Sequence, residues 1–392
     1  MNQSMELEER YCAHTYHPLP VVLTRGERVW VWDDQGNKYL DFLSAYSTAS
    51  HGHCHPRLVR ALQRQAEKLT IGSRAFYSEL LGKFLEKICV LSGLDMAIPM
   101  NTGAEAVETA IKAARLWGHQ VKKREAPEIL VAEGNFHGRT TTVISFSSEP
   151  EYRRGFGPFM PGFRIIPFGD VEALERAIGP DTCAFLVEPI QGEAGVRIPP
   201  VGYLKAVAEV CRKRRILLLL DEVQSGLGRA GKMFAFQHEG IVPDGLILGK
   251  ALGGGMVPVS AFVGKREILE LFQPGSHGST FGGNPLACAV GLEALAVLQE
   301  EGLIERSEEL GKYLVERLRK MRYPWIKEVR GKGLWVGIEV DPLQASGREI
   351  CERLMKRGIL AKETHQTIVR LAPPLVITRQ ELDWALGEME NL

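Results

Sequence analysis

Short apolar runs alternate with helix-periodic stretches through the middle of the chain. The runs cover residues 97–100, 128–132, 142–145, 164–167, 184–187, 216–220, 245–248 and 259–263. Strands without a polar face must be buried on both sides. Their alternation with helical segments predicts a doubly wound, mostly parallel sheet flanked by helices, an α/β architecture. The clearest helix follows Met100. Val107, Ala110, Ile111 and Ala114 fall on one face, the i, i+3, i+4, i+7 pattern. Thr102 and Glu105 have capping-box spacing, and Gly118 predicts the stop.

The two ends of the chain read differently. Residues 1–45 combine an extended opening with a hairpin, 28–33 and 38–42, turning at Gln35-Gly36-Asn37. Asn284-Pro285 starts a long apolar helix, with proline at its first position, and Gly302 ends it. Beyond lie a helix on Leu310, Leu314 and Leu318, a strand at 334–340 and a helix capped by Ser346 and Glu349. Strands at 359–362 and 367–371 follow, then a helix capped by Thr378 and Glu381. The expected organisation is a large α/β domain over 46–285 and a smaller α+β domain over 286–392, with segment 1–45 packing on the latter.

Charge and composition exclude several classes. The 48 basic and 48 acidic residues balance, so no electrostatic case exists for nucleic acid or an anionic membrane. The longest aliphatic stretch, 216–220, is far too short to span a bilayer. Seven scattered cysteines without a CxxC pair fit a reducing compartment. The opening residues 1–6 have neither a basic nor an apolar targeting region, so a cytoplasmic location is expected.

The chemistry gathers at strand ends. Lys250 follows the apolar run 245–248 and Gly249, and Asp221 follows the run 216–220. In open α/β sheets ligands sit at the carboxyl ends of strands. An amine and a carboxylate delivered there suit pyridoxal phosphate: the lysine meets the cofactor carbonyl and the carboxylate holds the pyridinium proton. A snorkelling lysine beside a capping aspartate fits the pair alone equally well. Asn101-Thr102-Gly103-Ala104 opens a helix whose free N–H groups suit a phosphate. Phe136-His137-Gly138-Arg139 offers a ring for stacking and a guanidinium for a carboxylate. Glu188 to Glu193 follows a buried strand, where acids are costly unless used. Arg370 interrupts the apolar strand 367–372 and needs an anionic partner, such as Glu193 or a substrate.

Three other motifs lack the context their chemistry needs. Gly226 to Gly231 matches GxGxxG, but five residues separate it from the strand end. Gly245 to Lys250 is one residue short of a phosphate-binding Walker loop and lacks its Ser/Thr. His51-Gly52-His53-Cys54-His55 is denser than zinc-ligand spacings, and no metal is expected.

Taken in order, these motifs resemble the class III, fold type I pyridoxal phosphate aminotransferases, over nearly the whole chain. Within that class the chain is similar to members that use ornithine. Segments 11–20, 44–47, 73–77, 155–163, 277–285 and 370–375 carry this. The resemblance implies that Lys250 binds pyridoxal 5′-phosphate covalently and shuttles the substrate proton, while Asp221 pairs with the pyridine nitrogen. It implies Gln224 at the phenolic oxygen, Phe136 and Val223 on the two ring faces, and Gly103 and Ala104 at the phosphate. Thr280 would reach the phosphate of a neighbouring subunit, making a homodimer with shared sites. Tyr16 and Arg139 would hold the α-carboxylate of L-ornithine, with Tyr46 lining the pocket. Arg370 would hold 2-oxoglutarate in one half-reaction and pair with Glu193 in the other. The implied products are glutamate 5-semialdehyde, which cyclises to pyrroline-5-carboxylate, and L-glutamate. His137 departs from members with tryptophan there. The rivals are a sister enzyme for acetylornithine or 4-aminobutyrate, a nucleotide-dependent dehydrogenase and a catalytically silent scaffold.

Overall fold

The computed structural model describes residues 2–392. Its centre is a seven-stranded sheet. In spatial order the strands are Met96–Met100, Ser260–Gly264, Gly245–Leu248, Leu217–Asp221, Thr182–Val187, Glu128–Ala132 and Phe163–Ile166. Only Ser260–Gly264 runs against its neighbours. Alternate side chains enter two separate cores. Leu130, Leu218 and Leu220 face one, and Ile129, Val131, Leu217 and Leu219 face the other. That two-sided burial is why these strands read as unbroken apolar runs.

Two expectations in this region are corrected. The run 142–145 is not a strand but the short helix Thr141–Ile144, whose first turn is capped by the Thr140 hydroxyl accepting from Val143 N. Helix Gly103–Gln120 has the predicted capping box but continues past Gly118. A Cβ on Gly118 would lie 2.6 Å from Pro127 and 3.1 Å from Cys183. Glycine there permits close packing and ends nothing.

The termini build two four-stranded sheets. Ile326–Gly331, Val336–Val340, Ile368–Leu371 and Lys362–Thr364 form one. Hairpin strands Trp30–Asp33 and Lys38–Asp41 belong to the other, with Leu23–Glu27 and Ile359–Leu360 at its edges. The run read as one strand at 359–362 is therefore two. The chain leaves its pairing with Lys38–Asp41 at Ala361 and then pairs with Ile368–Leu371 in the other sheet. Ile326–Gly331 escaped the sequence reading because Lys327, Glu328 and Arg330 mask its apolar positions.

One local feature stands out. Ser44, Ala45, Tyr46 and Ser47 have φ of 51, 46, 59 and 74°, a single left-handed turn made without glycine. Left-handed helical geometry costs roughly 1–2 kcal/mol per L-residue, so surrounding contacts must hold it.

Candidate active site

The parallel strands Leu217–Asp221 and Gly245–Leu248 are neighbours, with Asp221 opposite Ile247. Their carboxyl ends deliver Asp221 and Lys250 to one cavity of about 180 Å³. Gly103, Ala104, Phe136, His137, Glu188, Val223 and Gln224 share its lining. Backbone demands explain the glycines. A Cβ at Gly103 would sit 2.9 Å from Val223 Cγ1, and one at Gly192 would sit 2.2 Å from Gln224 Oε1. The 18-residue helix Gly103–Gln120 starts at the cavity wall, so its positive end and free N–H groups face the space.

Electrostatics tune this cavity. Burial pulls the Lys250 ammonium below its usual range, opposed by Glu193 and Asp221. Asp221 is 5% exposed. Its Oδ1 accepts from Val223 N at 3.0 Å and its Oδ2 meets His137 Nδ1 at 2.7 Å. Burial would lower the His137 pKa, but the hydrogen bond and charge of Asp221 outweigh it, so it rises. His137 Nε2 is buried without a partner. Glu188 accepts from Phe136 N at 2.9 Å and Gly192 N at 3.3 Å. Burial pushes its carboxyl up to about 8, against the pull of His137.

Next to the cavity lies an ion pair. Arg370, 2% exposed, donates from Nη1 to Glu193 Oε1 at 2.6 Å. Burial raises the Glu193 pKa, but Arg370 and Lys250 outweigh it and the net direction is down. The Tyr46 ring lies under Arg370, 5.3 Å from centroid to Cζ. Burial raises the Tyr46 phenol, and its hydroxyl feels Arg370, Glu193 and Tyr16.

The predicted residues thus fall into three groups. Lys250, Asp221, Gly103, Ala104, Phe136, Val223 and Gln224 share the cavity. Buried Arg370 and half-buried Tyr46 and Glu193 form a cluster beside Lys250. Tyr16, Arg139 and Thr280 are more open. Tyr16 sits on the exposed opening segment, Arg139 lies 3.6 Å from the Tyr152 ring centroid, and Thr280 is exposed outside the cavity lining. Sequence reasoning passed over His137 as a neutral departure and left Glu188 and Tyr152 unassigned. A buried strand-end acid was a signal for Glu188; nothing local marks Tyr152.

Comparison with known proteins is decisive for the family. Residues 11–392 match the family described as Aminotransferase class-III. The chain belongs to the class-III aminotransferases. The ornithine aminotransferase of Brevibacillus brevis is 56% identical over 100% of this chain and 98% of its own. That of a Geobacillus species is 57% identical, with 99% and 97% covered. The solved ornithine aminotransferase of Toxoplasma gondii superposes with a TM-score of 0.97 at 44% identity, over 99% and 92% of the two chains. An acetylornithine aminotransferase from Elizabethkingia anophelis gives 0.90 at 48%, over 99% and 97%.

Class-III aminotransferases work with pyridoxal 5′-phosphate, and the cavity fits it. A buried amine, a carboxylate on the neighbouring strand and a helix N-terminus all line the cavity. Among the described residues no helix is long and apolar enough to cross a membrane. No group of three or more His, Cys, Asp or Glu forms a metal cage there. The rings of the His51–His55 run go to Ala294 O, Asp41 and Glu301.

Proposed function

We propose that this protein transfers the δ-amino group of L-ornithine to 2-oxoglutarate. It would yield glutamate 5-semialdehyde, which closes to pyrroline-5-carboxylate, and L-glutamate. The Glu193–Arg370 pair carries the reading together with the full-length relatives. One pocket must take a cationic side chain and later a dianion. A guanidinium masked by a carboxylate meets both demands: Glu193 neutralises Arg370 for ornithine and yields it to 2-oxoglutarate.

When bound, pyridoxal 5′-phosphate supplies a carbonyl for the amino group and a ring that draws electrons from the adjacent carbon. Lys250, its pKa lowered by burial, would hold the cofactor through its amine and would move the proton at the reacting carbon of the substrate. Asp221, held by His137 and Val223 N, keeps the pyridine nitrogen protonated. Phe136 and Val223 would flank the cofactor ring, Gln224 would meet its phenolic oxygen, and the N–H groups of Gly103 and Ala104 would take its phosphate. Tyr16 and Arg139 hold the α-carboxylate of ornithine, so its δ-amine reaches Lys250, and Arg139 takes the far carboxylate of 2-oxoglutarate. Tyr46 walls the pocket.

The working form is a homodimer. Phe76 is 78% exposed and Phe281 57%. The 230 Å³ groove lined by Phe76 and Tyr77 also includes Gly283 and Pro285, close in sequence to Thr280. Apolar side chains of this size call for a covering surface, and a second copy would bring Thr280 to the other subunit's phosphate. Residues 46–285 would make up the cofactor-binding domain, and the segments before 46 and after 285 the smaller unit. The seven free thiols fit a cytoplasmic setting.

A donor screen against 2-oxoglutarate tests the reading. L-Ornithine should be the preferred donor, giving pyrroline-5-carboxylate. Preference for acetylornithine or 4-aminobutyrate would replace it with the sister activity.

A further inference from the structure

The left-handed turn Ser44–Ser47 carries Tyr46, and its anchor is Asp41. Asp41 Oδ1 accepts from Leu43 N at 2.8 Å and Ser44 N at 2.9 Å. The other oxygen, Oδ2, meets His53 Nε2 at 2.7 Å. His53 is itself fixed. Its backbone exchanges two hydrogen bonds with Arg28, at 3.0 and 2.7 Å, and a Cβ on Gly26 would strike its ring at 2.8 Å. The far side of the turn is tied to the segment following Arg370. Ser44 Oγ donates to Ala372 O at 2.6 Å, Ala372 N donates to Phe42 O at 2.6 Å, and Leu375 N donates to Ser50 O at 2.7 Å. The same clamp that imposes the disfavoured backbone therefore sets the Tyr46 ring against Arg370.

We propose that Asp41, backed by His53, is a positioning residue for amino-donor selection. It touches neither substrate nor cofactor. It acts through Tyr46, by holding a turn that would otherwise relax and carry the ring away from Arg370 and the pocket wall. Strained backbone persists only where its surroundings over-determine it, and such strain gathers at functional sites. This role also explains the central histidine of the His51–His55 run without a metal. The inference rests on the ornithine reading of the pocket.

The test is a double-mutant cycle on the cofactor-loaded protein. Asp41→Ala should lower the ratio of kcat/KM for L-ornithine over 4-aminobutyrate about tenfold, as expected for loss of a carboxylate that accepts several hydrogen bonds. The loss should lie mainly in KM for ornithine, with the cofactor absorption spectrum unchanged. Asp41→Asn, which keeps an acceptor for the two amides, should recover much of the ratio. In a Tyr46→Ile background Asp41→Ala should change the ratio no further. An unchanged ratio in Asp41→Ala, or equal effects with and without the Tyr46 ring, overturns the proposal. Should Asp41→Ala not fold, His53→Ala, which removes the partner of Asp41 Oδ2, carries the same comparison with and without Tyr46→Ile. A wild-type protein that ignores ornithine would sink the functional reading instead, so the two failures are separable.

Discussion

Replacing Glu193 by glutamine should convert a two-substrate pocket into one biased toward dicarboxylates. At an effective dielectric of about 20, unit charges 2.6 Å apart attract by roughly 6 kcal/mol. Glutamine keeps a neutral hydrogen bond, worth about 1 kcal/mol net, and gives up the charge. An incoming α-carboxylate then no longer competes for Arg370. Allowing for solvation, a gain of about 1.4–3 kcal/mol, ten- to hundredfold, is expected in apparent affinity for 2-oxoglutarate and L-glutamate. For L-ornithine the unmasked guanidinium repels the incoming ammonium, so that half-reaction should weaken by a comparable factor. Single-turnover measurements of each half-reaction, followed by cofactor absorbance, separate the two effects. Removing one partner of a buried pair also costs about 3–5 kcal/mol of stability, so a lower Tm is expected but does not discriminate. Equal changes in both half-reactions, or none in either, would refute the masking argument.

His137→Phe should weaken cofactor binding about tenfold and slow both half-reactions alike, because Asp221 loses a charge-assisted partner; equilibrium dialysis and kcat check this, and wild-type affinity would contradict it. Glu188 is held to about 8 by burial against an ordinary 4.5. The folded chain therefore binds more protons than the unfolded one between those values, and stability should fall as pH rises through that window. In Glu188→Gln the decline of Tm across it should flatten, and an unaltered slope would count against the assignment. Tyr46→Ile should lower use of L-ornithine and raise that of 4-aminobutyrate in steady-state assays, whereas an unshifted preference would remove Tyr46 from the pocket. Mixed dimers of Lys250→Ala with Thr280→Ala should recover part of the activity absent from the first and reduced in the second. That recovery requires one intact composite site per dimer, and its absence would speak against shared sites.

Much of the site was legible because its chemistry sits where α/β topology must place it. Lys250 and Asp221 lie at the ends of two buried strands, and the capping box at Thr102 and Glu105 announces the helix that opens at the cavity wall. Arg370 stood out as a charge inside an apolar strand, and its burial against Glu193 followed. What stayed hidden depends on contacts between distant residues. His137 meets Asp221 across 84 positions, and no local pattern records that. The left-handed turn at Ser44–Ser47 has no glycine to signal it; among its ties are Asp41, His53 and Ala372, which only the fold brings together. Gly118 misled because a helix-stopping glycine and a close-packing glycine look alike until Pro127 is in place.

The central claim is that Lys250 binds the cofactor covalently. Borohydride reduction of the loaded protein, followed by peptide mapping, tests it most directly. The account predicts a pyridoxyl label on the peptide containing Lys250, blocked when L-ornithine is added first. A label on another lysine, or none, would contradict it.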